Sequence, residues 1–161
     1  CGTETLAIHA ETWPSRKAEY GPVLAAFLET AEGVTGRDLA FALQRRLVWE
    51  GAFSQLMSGL DALLLPVLSR TTYPISEWNA YLAGEAGDEG IGDLVKFTAP
   101  TGMTGSPALT FPAARDSRGA PIGLQVIGRH WDEATLLAIG AAFQRATDHH
   151  AARPDLAGFA A

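Results

Sequence analysis

"SPALTFPAARDSRGAPIGLQVIGR" (Ser106–Arg129) is the stretch that decides the fold. Two β-prone runs, Ala108–Phe111 and Ile122–Ile127, flank "RDSRGAP", where Asp, Ser, Gly and Pro crowd together as they do when a chain reverses. The spacing predicts two antiparallel strands joined through Arg115–Pro121. Strand alternation sets Ile122, Leu124 and Val126 on one face and Gln125 on the other. Just downstream, "DEATLLAIGAAFQRATDHH" (132–150) has helical period. Asp132 is its N-cap, and Leu136, Ile139 and Phe143 mark the buried stripe.

Upstream, "DALLLPVL" (61–68) is a continuous apolar run without helical period, and it reads as a buried strand ended by Pro66. It and "IGLQVIG" both read as strands buried on both faces, for which this chain is expected to be short of covering helices. "VTGRDLAFALQRRLVWEGAFSQLMSGL" (34–60) is a long helix. Thr35 caps it, Asp38 sits near its positive end, and Leu39, Leu43, Leu47, Phe53, Leu56 and Met57 form its apolar face. A first helix is expected over Thr3–Trp13, with Leu6, Ala10 and Trp13 on one side and Pro14 ending it. A second opens at Pro22, carries Tyr20, Val23, Leu24, Phe27 and Leu28 on one stripe, and stops at Gly33. Residues 69–83 read as an irregular wall, 84–93 as an acidic loop, and 153–161 as a frayed tail.

The fold class expected is α/β, a mixed sheet flanked by helices. Residues 1–60 are mainly helical, 61–131 strands and loops, 132–150 a helix and 151–161 a tail. The whole of 1–161 is read as one portion of a domain.

A chain of 161 residues that is 47% apolar and 19% charged can bury a real core. Its net charge of -6, with no Lys/Arg cluster, excludes a nucleic-acid partner. The apolar run 62–68 is far too short to span a membrane. Cys1 is the single cysteine, which excludes internal disulfides and thiolate-rich metal sites and fits a reducing, cytoplasmic setting. Glu85, Asp88, Glu89 and Asp93 lack the spacing of a calcium loop. His149 and His150 are adjacent and so point apart, unlike a helical metal pair. His9 and His130 stand alone and are expected in surface or packing roles; Arg45 and Arg46 are expected on a solvated face. No metal or cofactor is expected.

Read in order, these segments resemble the C-terminal part of the amidase signature family. The likeness is carried by F-T-A-P at Phe97–Pro100, T-G-S-P-A at Thr104–Ala108, G-A-P at Gly119–Pro121, G-L-Q-V-I-G at Gly123–Gly128 and D-E-A-T-L-L at Asp132–Leu137. "YGPVLAAFLETAEGVTGRDLAFALQRR" and "DALLLPVL" add to it. The resemblance implies metal-free hydrolysis of carboxylic amides: a serine attacks the carbonyl, a lysine acts through a second serine as base, and backbone N–H groups hold the oxyanion. The family's Gly/Ser-rich catalytic stretch has no counterpart here. No two serines and no two glycines are adjacent, and Lys17 and Lys96 are the only lysines. No catalytic residue is therefore assigned.

The resemblance places Thr98–Ser106 beside the substrate pocket, which makes Thr101, Met103 and Thr104 the binding candidates; Trp78 and Tyr81, in the irregular wall, are secondary ones. The partners it implies are the N-terminal half of the same enzyme and a small-molecule amide. Self-association as a homo-oligomer is the other way to cover the exposed sheet. Two alternatives compete with this reading. One is a non-catalytic binding or regulatory module. The other is an N-terminal cysteine hydrolase using Cys1, which a helical rather than strand-like "TETLAIHAETW" disfavours. Cys1 is instead expected to lie inside a longer chain.

Overall fold

The computed structural model describes residues 2–82, 92 and 94–154. Cys1, the acidic residues Glu85, Asp88, Glu89 and Asp93, and the tail from 155 onward lie outside the described residues. The chain divides into two compact units. One holds the residues up to Trp49 and the helix Ile75–Leu82. The other holds Glu50–Pro74 and the described residues from 92 onward.

The first unit begins with α1 (Gly2–Ile8), followed by turns, a single 3-10 turn at Lys17–Glu19, and α2 (Pro22–Glu32). The helix expected to reach Trp13 stops at Ile8, and the chain continues as turns closed by Trp13 N–H on the His9 carbonyl (2.8 Å). Side chains explain the early stop. Trp13 is buried, donates from Nε1 to Glu32 Oε1 (2.6 Å), and lies edge-on to Tyr20 at 5.3 Å. The Tyr20 hydroxyl bonds His9 Nδ1 (3.0 Å) and the Thr12 hydroxyl. These contacts need a chain path that a continued helix would not follow.

Pro22 opens α2 and Gly33 caps it, as expected. Leu28 and Ala31 are its buried residues, while Val23, Leu24 and Phe27 are exposed, so the covered stripe is narrower than the sequence suggests. Helix α3 (Gly36–Met57) has the predicted N-terminal cap: Asp38 N–H donates to Thr35 Oγ1 (3.2 Å), and Thr35 N–H returns to Asp38 Oδ2 (3.0 Å). The Thr35 hydroxyl and N–H hold the Asp38 carboxyl below its ordinary range. Of the apolar face assigned to α3, Phe53 and Met57 are buried. Leu39, Leu43, Leu47 and Leu56 are exposed. The segment 69–83, read as irregular, contains α4 (Ile75–Leu82) directly after Pro74, so that expectation is corrected.

In the second unit β1 (Ala62–Pro66), β2 (Ala108–Arg115) and β3 (Pro121–Gly128) form a three-stranded sheet in the order β1-β3-β2. The predicted hairpin is present, with Phe111 opposite Leu124 and Leu109 opposite Val126. On its other edge β3 meets β1, with Leu64 opposite Val126. Both pairings are antiparallel, so the α/β class holds while these three strands lack the parallel pair that "mixed" implied. Register shifts between Pro112 and Ala114, where a proline has no N–H for the ladder.

Strand β3 is covered on both faces, whereas β1 ends the sheet among the described residues and leaves Leu64 58% exposed, the uncovered apolar surface expected of a chain short of covering helices. One face of β3 packs Val126 with Phe111 and with Leu136 of the helix Glu133–Ala146. The other packs Ile127 with Phe53 and Met57 from the end of α3. A short helix α5 (Ala99–Thr104) precedes β2, and the helix Glu133–Ala146 is therefore α6. Asp132 caps α6 through the Thr135 N–H (3.4 Å) and hydroxyl (2.8 Å). The helix approaches β2 so closely that a Cβ built on Gly140 would stand 2.6 Å from Leu109 Cδ2.

The β2–β3 turn is organised by Asp116. Its Oδ1 accepts the N–H groups of Arg118 and Ala120 (both 2.9 Å), and Gly119 takes φ +83° to complete the reversal. The Ala120 N–H is the main reason the Asp116 carboxyl lies below its ordinary range.

Three outcomes follow for this unit. Ile127→Ala should lower unfolding stability in urea by about 2–5 kcal/mol, as for other fully buried aliphatic residues. Gly140→Ala should cost about 1–3 kcal/mol by overpacking, and a cycle with Leu109→Ala should show favourable coupling between the two changes. An acid whose native pKa is depressed stabilises above its unfolded value and loses that contribution as pH falls through the native one. Acidification below the usual carboxylate range should therefore loosen the 116–120 turn, read from the Arg118 and Ala120 amide resonances. Asp116→Asn should remove that local titration.

Candidate functional site

The three candidates, Thr101, Met103 and Thr104, share the short helix α5. Pro100 lies in its first turn, where a missing N–H costs nothing. Gly105 ends it in the left-handed region at φ +71°, with its N–H on the Thr101 carbonyl (2.9 Å). Thr101 is half-buried, and its hydroxyl donates to the Thr98 carbonyl (2.8 Å). Thr104 is buried, its hydroxyl donates to the Pro100 carbonyl (2.9 Å), and it stands 3.0 Å from Ser106 Oγ. Both hydroxyls thus tie the helix to itself and to the turn that follows. Met103, 39% exposed, presents an adaptable apolar side chain.

One turn of helix has little stability alone. The sheet supplies it. Gln125 on β3 is 2% exposed and donates from Nε2 to the Phe97 carbonyl (2.6 Å), just before α5. His130, immediately beyond β3, donates from Nε2 to the Thr104 carbonyl (2.8 Å). His130 therefore keeps the surface position expected for it and adds a backbone bond that isolated spacing could not reveal.

Beside this segment is a cleft of about 290 Å³. Phe53 and Met57 form an apolar floor, Ser54, Ser58 and Ser106 supply hydroxyls, and Arg129 and His130 line the rim. Arg129 also pairs with Asp61 (3.0 Å). Ser106 belongs to the T-G-S-P-A segment, whereas Ser54 and Ser58 lie on or just beyond α3 outside any motif, and nothing in the sequence brings the three together. Gln125 does stand out, as the polar residue within an apolar strand.

Trp78 lies on α4, in the other unit, and is 40% exposed; Tyr81 is on the same helix, with a side chain outside the described residues. Lys17 is paired with Glu29 and lies over the Trp13 ring, and Lys96 lies over the Phe97 ring. His149 stacks on Phe143 at 6.2 Å and begins a 3-10 turn with His150. Among the described residues no group of three or more His, Cys, Asp or Glu is placed to hold a metal ion, and no helix is long and apolar enough to cross a membrane.

The family model described as "Amidase" matches residues 5–137. The chain is 34% identical over 151 residues to "Putative amidase AmiD" of Mycobacterium tuberculosis (strain ATCC 25618 / H37Rv), covering 94% of this chain and 31% of that protein. It is 31% identical over 134 residues to an acylamidase of Rhodococcus erythropolis, covering 82% of this chain and 28% of the relative. A crystal structure of an amidase superposes with a TM-score of 0.75 at 25% identity, covering 89% of this chain and 32% of that one. The chain thus spans about a third or less of the length of these relatives.

Removing the Thr104 hydroxyl should be felt, because this buried group bonds both the Pro100 carbonyl and the buried Ser106 hydroxyl. Thr104→Val is expected to destabilise by about 1–3 kcal/mol. Met103→Ala, at an exposed position, should stay within about 0.5 kcal/mol. Thermal melts of the two variants check both values.

Proposed function

The chain belongs to the amidase family, and from that we propose that it is the C-terminal portion of an enzyme that hydrolyses carboxylic amides, with residues 1–161 forming part of its sheet and one wall of its acyl pocket. The observation that carries this is the family match over residues 5–137, with the F-T-A-P segment held by Gln125 at Phe97 and the T-G-S-P-A segment held by His130 at Thr104. Thr101, Met103 and Thr104 are the proposed wall. Met103 would contact the apolar part of an amide substrate, and the two threonines would hold the helix that carries it.

The chemistry needs a nucleophile, a base and oxyanion donors. We assign them to a Ser–Ser–Lys set and a Gly/Ser-rich loop contributed by residues outside this sequence. The serine oxygen would bond to the amide carbon as its proton passes through the second serine to the lysine. The C–N bond then breaks as the amine takes up that proton, and water cleaves the resulting ester. Both lysines present here are engaged elsewhere, which supports that assignment. The partners are then the serine-bearing portion and a small amide. A single cysteine is compatible with a cytoplasmic setting.

The purified 161-residue chain should hydrolyse neither aliphatic nor aryl amides. Co-expressed with an amidase N-terminal portion carrying the serines and lysine, it should bind that portion and restore turnover. Turnover by the chain alone that a substitution within it abolishes, or a stable complex without hydrolysis, would overturn the proposal.

A further inference from the structure

Gln125 is an expensive residue for its position. It lies on the central strand, opposite Leu65 on one side and Thr110 on the other, next to the buried Val126 and Ile127. A side-chain amide at 2% exposure loses its water and must be repaid by hydrogen bonds, whereas leucine would fill the space without that demand. Its Nε2 faces two carbonyls: Phe97 at 2.6 Å and, more weakly, Pro66 at 3.4 Å. Two acceptors fix which end of the amide points there. The amide therefore joins the end of β1, the middle of β3 and the entry to α5.

The other end of α5 is held from just beyond the same strand, by His130 on the Thr104 carbonyl. The two donors grip the helix at its entry and its last residue. The Thr101 and Thr104 hydroxyls bond carbonyls of the same segment and do not themselves fix its place on the sheet.

We infer that Gln125 is a positioning residue: by holding the Phe97 carbonyl it fixes where the α5 wall sits over the sheet, and so sets how closely that wall meets a bound amide. The last clause rests on the amide-hydrolase reading; the first does not.

Hydrogen exchange on the chain tests the first clause. The Gln125 side-chain amide protons should exchange far more slowly than those of an exposed glutamine. Gln125→Met keeps the volume and removes the donor. It should speed exchange of the Gly105 N–H, which closes α5, by roughly tenfold or more, while the Val126 and Leu124 amides keep their protection. Free exchange of the side-chain protons, or a Gln125→Met effect that is absent or uniform across the sheet, would overturn the inference. The side-chain measurement uses the unaltered protein and decides the matter if the variant does not fold.

In the assembled enzyme, Gln125→Met should raise KM for a small aryl amide with kcat within about twofold, since a misplaced wall weakens binding. An unchanged KM, or a loss confined to kcat, would contradict the pocket role. An assembly that is inactive without any substitution would instead overturn the amide-hydrolase reading and leave the exchange result standing.

Discussion

Strand β3 has a hydrogen-bonded neighbour on each edge and a packed layer on each face, and most of the second unit answers to that double demand. Its apolar residues are drawn in two directions. Val126 and Leu124 meet Phe111, Leu136 and the rest of the α6 side, while Ile127 meets Phe53 and Met57 at the end of α3. At roughly 25 cal/mol per Å² of apolar surface removed from water, such a strand is worth more than either edge strand, which can bury only part of its side chains. Gln125 is the exception within this apolar strand. Its amide is tolerated because it closes on backbone carbonyls of two other segments. The same strand that makes the core therefore locates the candidate site.

The site is a case of weak local structure borrowed from strong tertiary structure. A six-residue helix with a proline in its first turn and a glycine after its last would not persist in water. Held at both ends, it gains a fixed position, and Met103 is presented without being part of any core. Thr101 and Thr104 turn their hydroxyls onto carbonyls of the same segment, which stiffens the helix but leaves its placement to Gln125 and His130. The specificity of such a wall would come from Met103 and from the placement of the helix.

Much of the fold is legible in the sequence where one force dominates. The turn residues 115–121 and their flanking β-prone runs announce the hairpin. Thr35 with Asp38, and Asp132, announce two helix starts, because capping is local chemistry. The failures occur where distant contacts decide. Trp13 leaves the helical path for Glu32 and Tyr20, which no local pattern records. The "DALLLPVL" run announces a strand, but its pairing with β3 and its place at the end of the described sheet are properties of topology that the run does not record. Helix α4 is hidden by the Pro, Thr and Trp in and around it. In the site, alternation singles out Gln125, but its acceptor is 28 residues away, and nothing at His130 points to Thr104.

The most direct measurement of the central claim is photolabelling of the chain assembled with a serine-bearing amidase portion, using an aryl amide that carries a diazirine on its acyl side. If α5 forms the pocket wall, mass spectrometry should find the label on the peptide spanning Thr98–Ser106, concentrated at Met103 and displaced by excess unlabelled amide. Saturable labelling confined to other peptides, with Thr98–Ser106 unmodified, would contradict it.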